Sequence, residues 1–112
     1  MHFSLIIPIY NRPDEIDELL ESLTKQTYTS NYEIVIIEDG STITCKHIIE
    51  KYSDLNVSYY FKPNSGPGDS RNYGMNVAKG DYFIILDSDC IIPTSYLQTV
   101  AEELSKDYVD CF

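Results

Sequence analysis

Two carboxylates, Asp87 and Asp89, stand one residue apart where the apolar run Ile84-Ile85-Leu86 ends. In an extended or turn segment, residues two apart can point to one side, leaving Ser88 to face away. Carboxylates held that close repel unless one is protonated or a cation sits between them. An all-oxygen set suits Mg²⁺ or Mn²⁺, which take one or two protein carboxylates together with phosphate oxygens. A polar turn closing a strand is the plainer reading of the same residues, and an Asp-x-Asp alone is a weak motif. Its place directly after a buried-looking run favours the cation.

Asp39 offers a second kind of chemistry. A lone acid ahead of a glycine is commonly a turn former. A carboxylate also accepts hydrogen bonds only, so it can read the imide N–H of uracil or thymine, or the N1–H of guanine, but not the bare N3 of cytosine. Glu38 beside it is either a ligand contact or a support for the loop. Tyr10 can stack on a base or pack across its own turn. The loop Asn64-Ser65-Gly66-Pro67-Gly68 leads into a helical pattern, and a helix start can hold an anion. Arg71 lies within a turn of that start, placed for a phosphate or for an ion pair with a neighbouring acid. Dinucleotide and P-loop motifs fail in detail: Arg71 stands where the third glycine of a GxGxxG belongs, and no Gly-Lys-Ser/Thr occurs.

These residues need elements to bring them together. Phe3 to Ile9 is apolar on both faces, as a central parallel strand should be. Asn11-Arg12-Pro13-Asp14-Glu15 reads as a helix start, with proline and acids in the first turn, and Ile16, Leu19, Leu20 and Leu23 follow at helical spacing. Tyr32 to Glu38 is a second strand, and a second helix carries Cys45, Ile48, Ile49 and Tyr52. Asn56 to Phe61 is a third strand, Asp69 to Lys79 a third helix ending at Gly80, and Asp81 to Leu86 a fourth strand. Pro93-Thr94 opens a last helix with Leu97, Val100, Ala101 and Leu104 inward. This alternation predicts an α/β fold on a mostly parallel sheet, whose ligands bind outside the carboxyl ends of the strands. Tyr10-Asn11, Glu38-Asp39 and Asp87 with Asp89 all fall at such ends. Tyr108 to Phe112 reads as the start of a further strand, which predicts a domain cut short and an open edge prone to self-association.

The chain has 112 residues, 43% of them hydrophobic and 23% charged, which fits one globular domain. Its formal net charge of −10 and lack of any basic run argue against a nucleic-acid partner. A phosphorylated small molecule stays open if a divalent cation bridges the charges. Cys45, Cys90 and Cys111 lie far apart without zinc spacing and read as free thiols of a reducing compartment. The opening apolar run is too short for a signal peptide or a membrane span, so the expectation is a cytoplasmic chain, with membrane association of a longer protein left open.

"SLIIPIYNR", "EIVIIEDGST" and "NSGPGDSRNYGMNVAKGDYFIILDSD" together resemble family 2 glycosyltransferases, in order and spacing, along essentially all 112 residues. The resemblance implies a Rossmann-like GT-A sheet with helices on both faces, here as the nucleotide-sugar-binding half. It implies that Pro8, Tyr10 and Asn11 line the base pocket, that Asp39 holds the base with Glu38 beside it, and that Arg71 lies near base and diphosphate. Asp87-Ser88-Asp89 would be the family's DxD. Asp87 would contact the ribose or a metal-bound water, and Asp89 would ligate Mn²⁺ or Mg²⁺ at the diphosphate. The implied reaction is inverting hexosyl transfer from a nucleotide-diphosphate sugar, UDP favoured, to a hydroxyl of a saccharide or lipid-linked saccharide, as in polysaccharide biosynthesis. Glu38, Ser70 and Cys90 depart from commoner family residues. The catalytic base would lie beyond residue 112, so these residues alone are expected to bind donor without turnover.

Two different classes share parts of this pattern. A receiver domain also sets acids at strand ends around Mg²⁺, but it needs paired acids after the first strand, where Tyr10-Asn11 stands. A non-catalytic nucleotide-binding module would need the base and phosphate contacts and nothing more.

Overall fold

The computed structural model describes residues 2–26, 32–52, 54–87 and 93–106. Four strands, β1 (Phe3–Ile9), β2 (Tyr32–Asp39), β3 (Val57–Lys62) and β4 (Tyr82–Ile85), form one sheet in the order β3-β2-β1-β4, every neighbouring pair parallel. Helices α1 (Pro13–Thr24), α2 (Lys46–Ile49), α3 (Pro67–Val77) and α4 (Tyr96–Lys106) fall between and after the strands. The α/β class expected from the alternating pattern, and the Rossmann-like layering that the resemblance implies, are what the chain adopts. No helix among the described residues is long and apolar enough to cross a membrane.

Successive strand residues face opposite sides, so the continuous apolar runs of β1 and β2 fill two cores. On one face Phe3, Leu5, Ile7, Ile34 and Ile36 pack against Ile16, Leu19, Leu20 and Leu23 of α1, Ile48 of α2, and Leu97 and Val100 of α4. On the other, Ile6, Val35 and Ile37 meet Tyr73 and Val77 of α3. That second layer is seated closely. A Cβ built on Gly74 of α3 would come within 2.4 Å of Ile6 Cγ2, so the helix can approach β1 only because that side chain is missing.

Some boundaries differ from the pattern-based expectation. The second helix is a single turn that tightens into a 3-10 turn at Glu50–Tyr52. The third helix starts at Pro67, two residues ahead of Asp69, since proline presets the backbone angle of a first helical residue. The last begins at Tyr96, after a turn in which the Pro93 carbonyl accepts from the Tyr96 N–H at 3.1 Å. The third strand reaches one residue further, to Lys62, because β2 continues to Asp39 and pairs with it there. The predicted edge at Tyr108 to Phe112 lies outside the described residues.

With all strands parallel, their carboxyl ends share one rim. The register sets Ile9 beside Glu38 and Asp39 beside Lys62, and the Leu86 N–H donates to the Ile6 carbonyl at 3.0 Å, carrying the chain on to Asp87. The rim is where the chemistry-bearing residues collect.

Candidate functional site

A hollow of about 680 Å³ opens at this rim, lined by Pro8 and Tyr10 after β1, Asp39 at the end of β2, Arg71 on α3 and Asp87 after β4. Five of the residues singled out from the sequence therefore share one cavity. Tyr10 is half exposed, leaving its ring open to a flat partner. Asp87 is exposed at the rim, and Arg71, half buried, makes no ion pair with any described residue. Its guanidinium keeps its planar donor fork for a ligand.

Asp39 is buried, 5% exposed, in a cage of donors. Its Oδ1 accepts from Lys62 Nζ at 2.5 Å and from the Ser65 backbone N–H at 2.9 Å, and its Oδ2 accepts from the Gly66 N–H at 3.0 Å. Burial pushes the Asp39 carboxyl up. The Lys62 ammonium and the Ser65 and Gly66 N–H groups outweigh it and hold the group below the usual carboxylate range. The anion at the start of α3 is thus the protein's own Asp39. The helix-start anion site expected from the Gly66-Pro67-Gly68 loop is, at those two amides, already filled. The loop can close over Asp39 because Gly40, at φ +67°, turns beneath it with the Asn64 backbone where a Cβ would stand.

Glu38 and Asn11 do something else. Glu38 points to the opposite face of β2, is fully buried and does not line the hollow. Its Oε2 accepts from Ser41 Oγ at 2.6 Å, and its Oε1 from the Cys45 N–H at 2.8 Å and the Tyr59 hydroxyl at 2.9 Å. Burial and then the Glu38 charge push the Cys45 thiol up to about 12, so the thiol stays protonated. Asn11 takes a left-handed backbone, φ +51°, and its Oδ1 accepts from the Thr42 and Ile43 N–H groups at 2.8 and 3.1 Å. The Asn11 N–H donates to Ser41 Oγ at 2.8 Å, which joins both residues into one bracket. The bracket clamps the loop after β1 to the loop after β2 and so fixes where Tyr10 and Asp39 stand.

Ser88 and Asp89, the remaining members of the Asp-Ser-Asp motif, lie outside the described residues. Among the described residues no cluster of three or more His, Cys, Asp or Glu forms a metal cage. A single exposed carboxylate at a hollow roomy enough for a nucleotide still fits a hard divalent cation of the Mg²⁺ or Mn²⁺ type, which keeps waters and shares its shell with substrate phosphates.

Several residues of the site were given no role of their own from the sequence. Arg12 and Glu15 line the hollow as an ion pair at 3.2 Å, one turn apart on the helix start. Asn64 donates from Nδ2 to the Asp39 carbonyl at 3.1 Å and also lines the hollow. Lys62 carries the largest consequence, and only the strand register reveals it.

Comparison with known proteins follows the geometry. A family model described as glycosyl transferase family 2 matches residues 4–112. The chain is 36% identical over 114 residues to the poly(ribitol-phosphate) beta-N-acetylglucosaminyltransferase TarS of Staphylococcus aureus, covering 98% of this chain and 20% of that protein. The crystal structure of S. aureus TarS 1-349 in complex with UDP-GlcNAc superposes with a TM-score of 0.89 at 37% identity, over 95% of this chain and 32% of that one. The mannosyltransferase PcManGT of Pyrobaculum calidifontis, in complex with GDP-Man and Mn²⁺, superposes with a TM-score of 0.85 over 92% of this chain and 32% of that one; at 24% identity this likeness carries the fold alone. The chain thus spans a fifth of that curated relative and about a third of each of these two solved structures. With the family match running from the first strand onward and the same sheet in its solved neighbours, the chain belongs to glycosyl transferase family 2.

Proposed function

We propose that this chain forms the donor-binding part of an inverting glycosyltransferase that moves a sugar from a UDP-sugar to the hydroxyl of a saccharide acceptor. The observation that carries the reading is the convergence of Tyr10, Asp39, Arg71 and Asp87 on one hollow at the carboxyl ends of β1, β2 and β4. The UDP-GlcNAc bound by TarS 1-349 supports a uridine donor, and the poly(ribitol-phosphate) in that relative's name supports a hydroxyl-rich polymer as the kind of acceptor.

In this reading the uracil lies against the open ring of Tyr10, and its imide N–H donates to Asp39, which only accepts. Arg71 faces the diphosphate and offers charge-assisted hydrogen bonds to oxygens that gain negative charge as the bond to the anomeric carbon breaks. Asp87, with Asp89 two positions further on in the sequence, is the proposed holder of Mg²⁺ or Mn²⁺. The cation would offset the charge on the departing diphosphate. The acceptor hydroxyl needs a base to take its proton, and none of the described hollow's carboxylates is free of a donor-side task except Glu15, which is paired with Arg12. In this reading no described residue of the hollow is the base, and the 112 residues are proposed to bind donor without turnover.

Calorimetric titration with UDP, with and without Mn²⁺, tests the reading. Saturable binding that tightens with Mn²⁺ is expected; heats at the level of dilution under both conditions would refute it.

A further inference from the structure

Lys62 is buried, yet it does not line the hollow. Its ammonium spends its donors on Asp39 Oδ1 at 2.5 Å, Ser65 Oγ, and the Pro63 carbonyl at 3.3 Å. An ammonium has three protons, so none is left for a ligand. The interaction is aimed from behind at the group that reads the base. A buried pair of this kind adds little net stability, because desolvating both charges offsets their attraction. Orientation is what it supplies.

The count of acceptor positions on Asp39 gives that orientation a chemical meaning. Each carboxylate oxygen accepts two hydrogen bonds. Among the described residues, Oδ1 is filled by Lys62 and Ser65, and Oδ2 holds the Gly66 N–H with one position open. A uracil or thymine imide, or the N1–H of guanine, needs one acceptor and finds one. Cytosine presents a bare N3 beside an amino group. Pairing with it at both positions takes a protonated carboxyl that donates from one oxygen and accepts the amino N–H on the other, so each oxygen must keep one open position. Lys62 blocks that arrangement twice, by occupying Oδ1 and by opposing protonation.

We infer that Lys62 is a specificity-determining positioning residue: it leaves Asp39 a single open acceptor, on Oδ2, and thereby makes the site select bases with a ring N–H over cytosine. The inference rests on the donor-binding reading above. The groups that face Asp39 are Lys62 from β3 and the Ser65 and Gly66 amides from the loop. Around the same hollow stand Arg71 of α3, Arg12 and Glu15 at the start of α1, Tyr10, and Asp87. Among the described residues Lys62 is the ionisable side chain that touches the carboxylate.

The test is the ratio of UDP to CDP affinity, measured by calorimetry on the intact protein and on Lys62→Met, which keeps the apolar stem and removes the charge. A general loosening of the site weakens both nucleotides and cancels in the ratio. The unaltered protein should prefer UDP by at least about tenfold, with a ratio that stays flat from about pH 8 to about pH 5.5, where a carboxyl held below its ordinary value remains ionised. In Lys62→Met the ratio should fall by roughly tenfold, and fall further toward the acid end, as the carboxyl gains access to its proton. An unchanged ratio in the variant would overturn the inference. So would a ratio that collapses on acidification in the unaltered protein, a result that decides the matter even where Lys62→Met does not fold. Failure of the unaltered protein to bind UDP at all would instead bring down the donor-binding reading, and this inference with it.

Discussion

Asp39 and Arg71 divide the donor between them, and each makes its own prediction. Asp39→Asn keeps the size but replaces one acceptor oxygen by a donor amide and removes the partner of Lys62. UDP affinity should drop by roughly tenfold to a hundredfold, since a charge-assisted contact is lost and a buried ammonium is left unpaired. Arg71→Ala should weaken UDP by about tenfold while leaving uridine almost untouched, because the guanidinium is assigned to the diphosphate and not to the base. Parallel titrations of UDP and uridine check both; an equal loss for the two ligands in Arg71→Ala would contradict the assignment. The sequence made Asp39, Tyr10 and Asp87 legible, since each ends an apolar run. It did not separate Asp39 from Glu38. Neighbours on a strand face opposite sides, and only the seating of α3 against Ile37 tells which side is the hollow. Lys62 was hidden for a related reason: its partner lies across a strand pair, 23 residues away.

At the scale of elements, the site depends on how closely α3 lies on the sheet. Gly66 and Ser65 reach Asp39 from the turn that opens α3, and Arg71 projects from the second turn of the same helix. Gly74 sets that approach, with Ile6 Cγ2 at 2.4 Å and Ile37 Cγ1 at 3.5 Å from a built Cβ. Gly74→Ala should cost about 1–3 kcal/mol of stability by overpacking, read as a lower midpoint in urea. It should also weaken UDP, since Arg71 and the Asp39 cage ride on the displaced helix. Wild-type stability in Gly74→Ala would show that the contact relaxes without moving α3. The alternation of strands and helices was readable from period and turn residues. The bracket of Asn11, Ser41 and Glu38 was not, because it joins two loops 30 residues apart through side chains that in sequence resemble ordinary turn formers.

The whole molecule carries a formal charge of −10, yet several of its acids are held by specific donors. Hydrogen bonds from Tyr52 and then Lys51 hold Asp17 below the usual carboxylate range. For Glu33, burial pushes upward, but the Ser4 hydroxyl and the Lys79 N–H outweigh it, and for Asp39 the Lys62 cage does the same. Carboxyls depressed in the folded state stabilise it above their unfolded values, and that stability is lost as pH falls through the folded ones. Cys45, with its thiol pushed up to about 12, works in the opposite direction: burial and the Glu38 charge keep it protonated, so stability is full below the unfolded thiol value and is lost as pH rises beyond it. Melting temperature should therefore be level from about pH 5 to about pH 8 and fall on both sides. A midpoint that rises steadily as the acids are neutralised would mean that general repulsion among 18 acidic residues outweighs these tied groups.

The most direct test of the account is a crystal structure of the protein with UDP and Mn²⁺. It should place the uracil imide nitrogen within hydrogen-bond distance of Asp39 Oδ2, the ring beside Tyr10, and the diphosphate between Arg71 and Asp87. A nucleotide seated anywhere else on the molecule, or one in the hollow with its base turned away from Asp39, would contradict it.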